Sequence, residues 1–303
     1  MLTINDLAQV VKEAHCSLYA DDLKLRREIA SPQDCEDLQR DIDRVINWAT
    51  ENKLEFNSDK CVTISYTRSR TPIEHKYKID GIDVKRVSKI KDLGVQFSSN
   101  LSFREHILNV CKKAYSILGF ILRTAKQFTN MRSVMALYNA LVRSHMEGNS
   151  IIWAPHEAKY RDMMERIQNK FARFLYLKMY GVYPFYPLNY PTLFVLGMVG
   201  YSQLLVRRDA AAIIYIFRLL RGVIDNREML GSLAIRCPDN FVGRRRRPEL
   251  LDVPQGRTNL LSKAPMTRAI RLFNVVAREI DPFSCTLSEF TKKTFFIVSY
   301  GKH

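Results

Sequence analysis

The tetrapeptide Tyr19-Ala20-Asp21-Asp22 has the clearest chemical potential in this sequence. It stands between two short apolar runs, residues 16–19 and 23–29, which predict two strands joined by a tight turn. Carboxylates at the tip of such a hairpin offer the hard oxygen ligands that Mg²⁺ requires. Two such ions about 4 Å apart support phosphoryl chemistry. An Asp-Asp pair can equally cap a surface turn, so the metal-site interpretation depends on the surrounding motifs.

Further motifs follow the tetrapeptide in a defined order. They are Leu54-Glu55-Phe56-Asn57-Ser58-Asp59-Lys60-Cys61, Lys89-Ile90-Lys91-Asp92-Leu93-Gly94-Val95, Leu101-Ser102-Phe103, Tyr138-Asn139-Ala140-Leu141-Val142-Arg143, Ile152-Trp153-Ala154-Pro155, Glu165-Arg166-Ile167-Gln168-Asn169-Lys170-Phe171 and Arg268-Ala269-Ile270-Arg271-Leu272-Phe273-Asn274. With Ile4-Asn5-Asp6-Leu7 at the start, this series resembles the reverse transcriptases of non-LTR (LINE-type, jockey-like) retrotransposons. The resemblance covers nearly the whole chain, and ordered agreement of several motifs is more specific than one Asp pair.

The resemblance implies an α+β fold in three parts. Residues 1–99 would form a partial palm with an antiparallel sheet, a Tyr-Ala-Asp-Asp hairpin and a primer-grip hairpin. Residues 100–180 would form a helical thumb, and residues 181–303 a helical, basic C-terminal region. The implied parent activity is RNA-directed DNA polymerisation by two-metal nucleotidyl transfer. Its partners would be Mg²⁺, deoxynucleotides and an RNA template paired with a DNA primer.

The family motifs also imply roles for individual residues. Asp21 and Asp22 would bind metal, and Lys60 would donate a proton to the leaving pyrophosphate. Tyr19 would stack near the primer end, and the primer grip would comprise Leu93, Gly94 and Val95. Alternatives stay open: Tyr19 packs in the sheet, Lys60 is a solvated strand-end lysine, and Gly94 serves a close backbone approach or a bulge, or is merely structural.

One departure from the family pattern concerns the N-terminus. A complete enzyme of this type carries an earlier metal-binding aspartate, a Gln-Gly turn and fingers, whereas this sequence opens with Met1-Leu2-Thr3-Ile4. We therefore expect a truncated, catalytically incomplete chain that binds Mg²⁺ weakly or not at all and has no polymerase activity. The alternatives are a non-catalytic RNA- or DNA-binding remnant that uses the basic thumb, and a pseudogene product that folds poorly.

Charge is distributed unevenly along the chain. Residues 1–99 contain 16 Lys and Arg against 17 Asp and Glu, and residues 100–303 contain 31 against 14. The basic second segment predicts a polyanionic partner. Lys112, Lys113, Arg123 and Lys126 are spaced to form a basic helix edge that binds a duplex backbone, or else an ordinary solvated surface. The run Arg244-Arg245-Arg246-Arg247 fits a nucleic-acid patch, a nuclear-localisation signal or a solvated loop.

Two further features bear on location. The six cysteines are scattered without zinc-ligand spacing, which fits a reducing compartment, either nucleus or cytoplasm, rather than secretion. Residues 179–206 carry no charge, but Pro184, Pro187 and Pro191 interrupt the first half. Burial within a helical domain explains that segment better than a membrane span.

Local patterns predict the elements that position these residues. Ser31, Pro32 and Asp34 begin a helix that runs to about residue 53. Residues 60–66 and 91–97 predict strands, and Asp80-Gly81 predicts a hairpin turn. A short helix is expected at 6–12, and longer helices at 103–125, 130–146, 160–180, 199–221 and 267–278.

Overall fold

The computed structural model describes residues 6–67, 69–184, 191–236, 249–256 and 259–300, and these have an α+β fold. The chain divides into an N-terminal unit, Met1–Phe103, and a C-terminal unit, Arg104–His303. The predicted run Arg244–Arg247 lies outside the described residues.

The N-terminal unit contains both helices and short strands. They are α1 (Leu7–Val10), β1 (His15–Tyr19), β2 (Asp22–Arg26), α2 (Pro32–Glu51), a 3₁₀ turn (Ser58–Lys60), β3 (Val62–Thr63), β4 (Lys78–Ile79), β5 (Ile82–Asp83), β6 (Lys85–Arg86), β7 (Lys89–Asp92) and β8 (Val95–Ser98). The described strands pair two by two: β1–β2, β4–β5 and β7–β8 are antiparallel, and β3–β6 is parallel.

Several local predictions are confirmed in this unit. The side chain of Asp34 accepts hydrogen bonds from the Ser31 backbone N–H at 2.8 Å and from the Ser31 hydroxyl at 2.9 Å, with Pro32 as the first helical residue. Because these contacts satisfy groups that a helix start leaves open, they determine where α2 begins. The Asp80-Gly81 turn joins β4 to β5, as expected.

Two strand predictions were wrong. The strand expected at residues 60–66 is reduced to Val62–Thr63, because the 3₁₀ turn includes Lys60 and β3 pairs with only two residues, Lys85 and Arg86 of β6. The segment 91–97 is not one strand, because it reverses direction after Asp92 and forms a hairpin. Leu93 and Gly94 both have positive φ, 43° and 85°, which turns the chain back on itself.

The described part of the C-terminal unit is mainly helical. Its elements are α3 (Arg104–Thr124), a 3₁₀ turn (Ala125–Gln127), α4 (Met131–Tyr138), a π-helical turn (Asn139–Arg143), α5 (Ser144–Glu147), α6 (Ser150–Trp153), α7 (Ala158–Tyr180), α8 (Thr192–Met198), α9 (Leu204–Leu220), α10 (Arg227–Gly231), α11 (Asn259–Ser262), α12 (Pro265–Ala277) and α13 (Leu287–Tyr300). The helix expected at 199–221 starts only at Leu204, because Gly200 (φ 76°) separates it from α8. None of the described helices is long and apolar enough to span a bilayer.

Aromatic residues form the core of this unit. The rings of Tyr138 and Phe171 stack with centroids 3.9 Å apart, and Tyr201 meets both rings edge-on. Phe217 of α9 stacks on Phe290 of α13 with centroids 4.3 Å apart. The first cluster joins α4 to α7 and to the segment before α9, and the second joins α9 to α13; offset and edge-on ring pairs add to the energy of burial.

Candidate functional site

The hairpin of β1 and β2 presents the predicted aspartates in two different positions. Tyr19 pairs with Asp22 across the strands, so the turn consists of Ala20 and Asp21. Ala20 adopts a left-handed φ of 53°. Only Asp21 is therefore a turn residue, and Asp22 is the first residue of β2. Both side chains are exposed.

The two faces of this hairpin differ in environment. Leu18 and Leu23 lie opposite each other and pack against the core cluster that includes Trp48 of α2. Side chains alternate across a strand, so Tyr19 and Asp22 project from the opposite face. Tyr19 is 63% exposed, which excludes the alternative that it packs in the sheet. The face with Leu18 and Leu23 is therefore packed against the core, and the face with Tyr19 and Asp22 is exposed to solvent.

An ion pair joins the β1–β2 hairpin to the β7–β8 hairpin. Lys24, two residues after Asp22 and on its face, lies 2.5 Å from a carboxylate oxygen of Asp92 at the end of β7. The sequence motifs gave no reason to pair these residues, which are distant along the chain. The contact places the Leu93-Gly94 turn beside the aspartate hairpin within the N-terminal unit.

The three predicted primer-grip residues have distinct environments. Leu93 is exposed, whereas Val95 is buried with only 2% of its surface accessible. Gly94 has a φ of 85°, and a Cβ atom there would meet nothing within 4 Å. No bulge interrupts the register of this hairpin, so that alternative was wrong, whereas a close backbone approach by a bound primer stays a prediction. The glycine instead permits the left-handed backbone of a two-residue hairpin turn.

Lys60 stands apart from the aspartate hairpin in its contacts. It is exposed and ends the 3₁₀ turn Ser58–Lys60, where its backbone N–H bonds to the Asn57 carbonyl at 3.0 Å. Within the ranges described above, no hydrogen bond or ion pair joins it to Asp21 or Asp22.

The donor set at the hairpin fits part of a magnesium site. Asp21 and Asp22 offer exposed carboxylate oxygens, the ligand type that Mg²⁺ prefers. Among the residues that the structure describes, no cluster of three or more His, Cys, Asp or Glu side chains could hold a metal. The hairpin could thus contribute two carboxylate ligands to a metal site, and further ligands would have to come from elsewhere.

A buried carboxylate anchors the segment that leads into β1. Asp41 of α2 is fully buried and accepts hydrogen bonds from the backbone N–H groups of Lys12, Glu13 and Ala14 at 2.7–2.9 Å. Burial alone would raise the pKa of Asp41, but these bonds, with one from Arg44, lower it. Sequence reasoning missed this residue because an acid on a helix normally faces water.

The basic edge predicted for the first thumb helix is exposed in the structure. Lys112, Lys113 and Arg123 lie on α3 with exposed side chains, and we call these three the basic face. Lys126 was wrongly placed on the same helix; it belongs to the 3₁₀ turn that follows, where its carbonyl accepts a hydrogen bond from Lys178 of α7. Residues 106–146 contain six Lys or Arg and no Asp or Glu, a signal visible in the sequence.

No protein-family model, curated protein or solved structure matches this chain. Any assignment of function therefore rests on the chain's own motifs and geometry.

Proposed function

We propose that this chain derives from a reverse transcriptase of the non-LTR type. The parent activity is RNA-directed DNA polymerisation, in which a primer 3′-hydroxyl attacks the α-phosphate of a deoxynucleotide and pyrophosphate leaves. The ordered motifs support this proposal, and they include the Tyr-Ala-Asp-Asp hairpin and the Lys89–Val95 segment.

The observation that carries the proposal is the ion pair between Lys24 and Asp92. The ion pair sets a hairpin with two exposed carboxylates beside a second hairpin with an exposed turn. A polymerase needs its metal-binding carboxylates near the segment that holds the primer. The metal ligands must lie where the primer end is held. Two hairpins joined by an ion pair are suited to that requirement.

Each residue would then have a separate task. Asp21 and Asp22 would hold Mg²⁺, which when bound neutralises charge on the reacting phosphates. Tyr19, exposed on the face of Asp22, would contact the primer terminus, and Leu93 with Gly94 would support the primer backbone. Lys60 would lie on the nucleotide side as a proton donor. Val95 is buried and would act by anchoring β8.

Metal binding at the hairpin tests the proposal without requiring turnover. In the full chain, Mn²⁺ used as a paramagnetic substitute should broaden NMR signals of residues 19–24 selectively. Asp21→Asn and Asp22→Asn should abolish this broadening. Asp80→Asn is the matched control, because Asp80 is an exposed acid in the two-residue turn of another hairpin. Equal broadening at both turns would contradict the proposal.

A second candidate function is non-catalytic binding of RNA or DNA. The acid-free stretch 106–146 and the basic face of α3 favour it. Lysine and arginine contacts to phosphates supply affinity without reading sequence. Such a protein would bind nucleic acid whether or not the aspartate hairpin is intact.

Primer extension separates the two candidates. The assay uses oligo(dT) on poly(rA) with Mg²⁺, alongside binding of the same duplex. Extension that Asp21→Asn abolishes and Asp80→Asn preserves assigns the chain to catalysis. Binding that all three proteins share, without extension, assigns it to the non-catalytic candidate. Absence of both binding and metal-dependent broadening would contradict each of them.

A further inference from the structure

Two exposed aromatic rings stand among the cations of α3. Phe120 is 58% exposed and Tyr115 is 49% exposed, although both belong to a well-packed helix. Lys112 and Arg123 lie on one side of α3, with Phe120 on one flank of that side and Tyr115 on the other flank, toward α7. About half the surface of each ring is left in water, where it is open to a ligand.

A lysine from the neighbouring helix completes this surface. The Nζ atom of Lys170 on α7 lies 3.2 Å from the hydroxyl of Tyr115 and 4.7 Å from its ring centroid. Arg104 of α3 also pairs with Glu157 at the start of α7, at 3.2 Å. Lys178 of α7 bonds to the carbonyl of Lys126 beyond the end of α3. The two helices therefore run side by side in the same direction.

We call Lys112, Lys113, Tyr115, Phe120, Arg123 and Lys170 the aromatic-basic stripe. Its composition distinguishes between two forms of nucleic acid. A duplex offers phosphates to a helix face but keeps its base faces stacked inside, so it has little use for exposed rings. An unpaired strand offers both phosphates and base faces, and proteins bind it with cations and aromatic side chains together.

We propose that the aromatic-basic stripe binds single-stranded RNA or DNA, with bases stacked on Phe120 and Tyr115 and phosphates held by the lysines and Arg123. This inference rests on the proposed nucleic-acid function and adds the form of the ligand. Lys170 steadies the Tyr115 ring, because its ammonium group bonds to the hydroxyl and lies over the ring. The stripe would thus hold an unpaired segment of a template or product strand.

The test compares labelled oligo(U) and oligo(dT) with a blunt duplex of equal length, measured by fluorescence anisotropy on the full chain. Phe120→Ala and Tyr115→Ala should each weaken single-strand binding by between about fivefold and 150-fold and leave duplex binding unchanged. Phe120→Leu should lose as much as Phe120→Ala, because leucine is apolar but has no face for stacking. Tyr115→Phe should retain most of the affinity. All are surface changes, and circular dichroism checks that each variant folds.

A direct readout comes from Phe120→Trp. The indole should be quenched by oligo(U) and oligo(dT) but not by the duplex, because only unpaired bases can stack on it. If Phe120→Leu binds single strands as well as the natural chain does, the ring is not a stacking platform and the inference is wrong. It is equally wrong if Phe120→Ala weakens duplex and single-strand binding alike.

The duplex measurement separates this inference from the proposed function. Salt-sensitive duplex binding that Lys112→Ala with Arg123→Ala weakens, together with no effect of Phe120→Ala on single strands, overturns the stacking role alone. If the natural chain binds neither form, nucleic-acid binding itself fails, and the stripe has no role in it.

Discussion

At the scale of single residues, Asp41 links the helix α2 to the hairpin that bears the candidate site. Its buried carboxylate accepts three backbone N–H groups from the segment 12–14, directly before β1. If the carboxylate is removed, those N–H groups lose their hydrogen-bond acceptor. An unsatisfied buried polar group lowers the stability of the fold. The position of Asp21 and Asp22 therefore depends on a residue far from them in the sequence.

We expect Asp41→Ala to lower the free energy of unfolding of the N-terminal unit by roughly 2–4 kcal/mol. The reason is the loss of charge-assisted hydrogen bonds to residues 12–14. Urea titration followed by Trp48 emission, in a Trp153→Phe background, measures the change. Hydrogen exchange should also accelerate at Lys12, Glu13 and Ala14. Glu36→Ala, an exposed acid on the same helix, is the control and should change little.

The lowered pKa of Asp41 predicts how the stability of the N-terminal unit depends on pH. The folded pKa of Asp41 lies below its ordinary value, and hydrogen bonds from Ser31 and Arg27 lower the pKa of Asp34 to about 2. A lowered folded pKa stabilises the fold above the unfolded pKa of about 4, and this contribution is lost as pH falls. The N-terminal unit should therefore lose stability below about pH 4. Asp41→Asn should flatten that decline in urea titrations at pH 2.5–7; an unchanged slope would contradict the assignment.

At the scale of elements, α9 is attached to α7 through a buried ion pair. Glu165 of α7 accepts the backbone N–H groups of Leu204 and Leu205 at 3.2 and 2.8 Å, which caps the start of α9. Arg208 of α9 is almost fully buried, and its Nη2 atom lies 3.9 Å from Glu165. Burial raises the pKa of Glu165 and lowers the pKa of Arg208. The attraction between the two charges offsets part of the cost of burying Arg208, although its Nη2 atom makes no hydrogen bond within the described residues.

Removing Glu165 alone should lower the free energy of unfolding more than replacing both Glu165 and Arg208. We expect Glu165→Ala to lower the free energy of unfolding of the C-terminal unit by about 3–5 kcal/mol, since Arg208 is then buried unpaired. The double variant Glu165→Ala/Arg208→Met should recover part of that loss. Denaturation followed by Trp153 emission, in a Trp48→Phe background, measures it. Asp162→Ala, exposed on the same helix, should be nearly neutral; a double variant less stable than Glu165→Ala would refute the pairing.

The turn between β7 and β8 predicts a conformational effect of alanine. Gly94→Ala should destabilise the N-terminal unit by about 1 kcal/mol, because a side chain disfavours the left-handed φ even where space is open. Gly81→Ala in the β4–β5 turn, with φ of 78°, should cost the same. Gly197→Ala in α8, also with open space but without positive φ, should stabilise its unit slightly. Thermal unfolding distinguishes these outcomes, and a steric explanation would make all three alike.

At the scale of the whole molecule, the net positive charge and its uneven distribution along the chain predict how it binds polyanions. The formal net charge of +16 comes from residues 100–303, where basic residues outnumber acidic ones 31 to 14. Such an imbalance attracts polyanions over a long range and disperses copies of the chain by mutual repulsion. Binding of nucleic acid should therefore depend steeply on salt concentration.

The basic face should account for part of that dependence. We expect the triple change Lys112→Ala, Lys113→Ala and Arg123→Ala to reduce the slope of log K against log salt, measured with oligo(dT), by roughly 0.7 for each single-strand phosphate that these side chains neutralise in the natural chain. The control triple, Lys53→Ala, Lys85→Ala and Lys292→Ala, changes net charge equally at exposed positions elsewhere. Anisotropy titrations between 50 and about 200 mM salt compare the two. Equal slopes for both triples would mean that net charge, not this face, drives binding.

The sequence by itself determined the features that depend on neighbouring residues. The start of α2 follows from Ser31, Pro32 and Asp34, and the β4–β5 turn follows from Asp80-Gly81. The helical character of residues 104–180 follows from the period of its apolar residues. Capping, turn and amphipathic signals act within a few residues, so they can be read without knowing the fold.

Only the tertiary structure decided which distant groups meet. It paired Lys24 with Asp92, buried Asp41 against the segment before β1, and left Tyr19 in water. It also set Lys170 beside Tyr115 across two helices. These arrangements arise from burying apolar faces against each other, and the residues brought together are far apart in the chain. Local propensity carries no information about such pairs, so the candidate sites could be named from the sequence but not assembled from it.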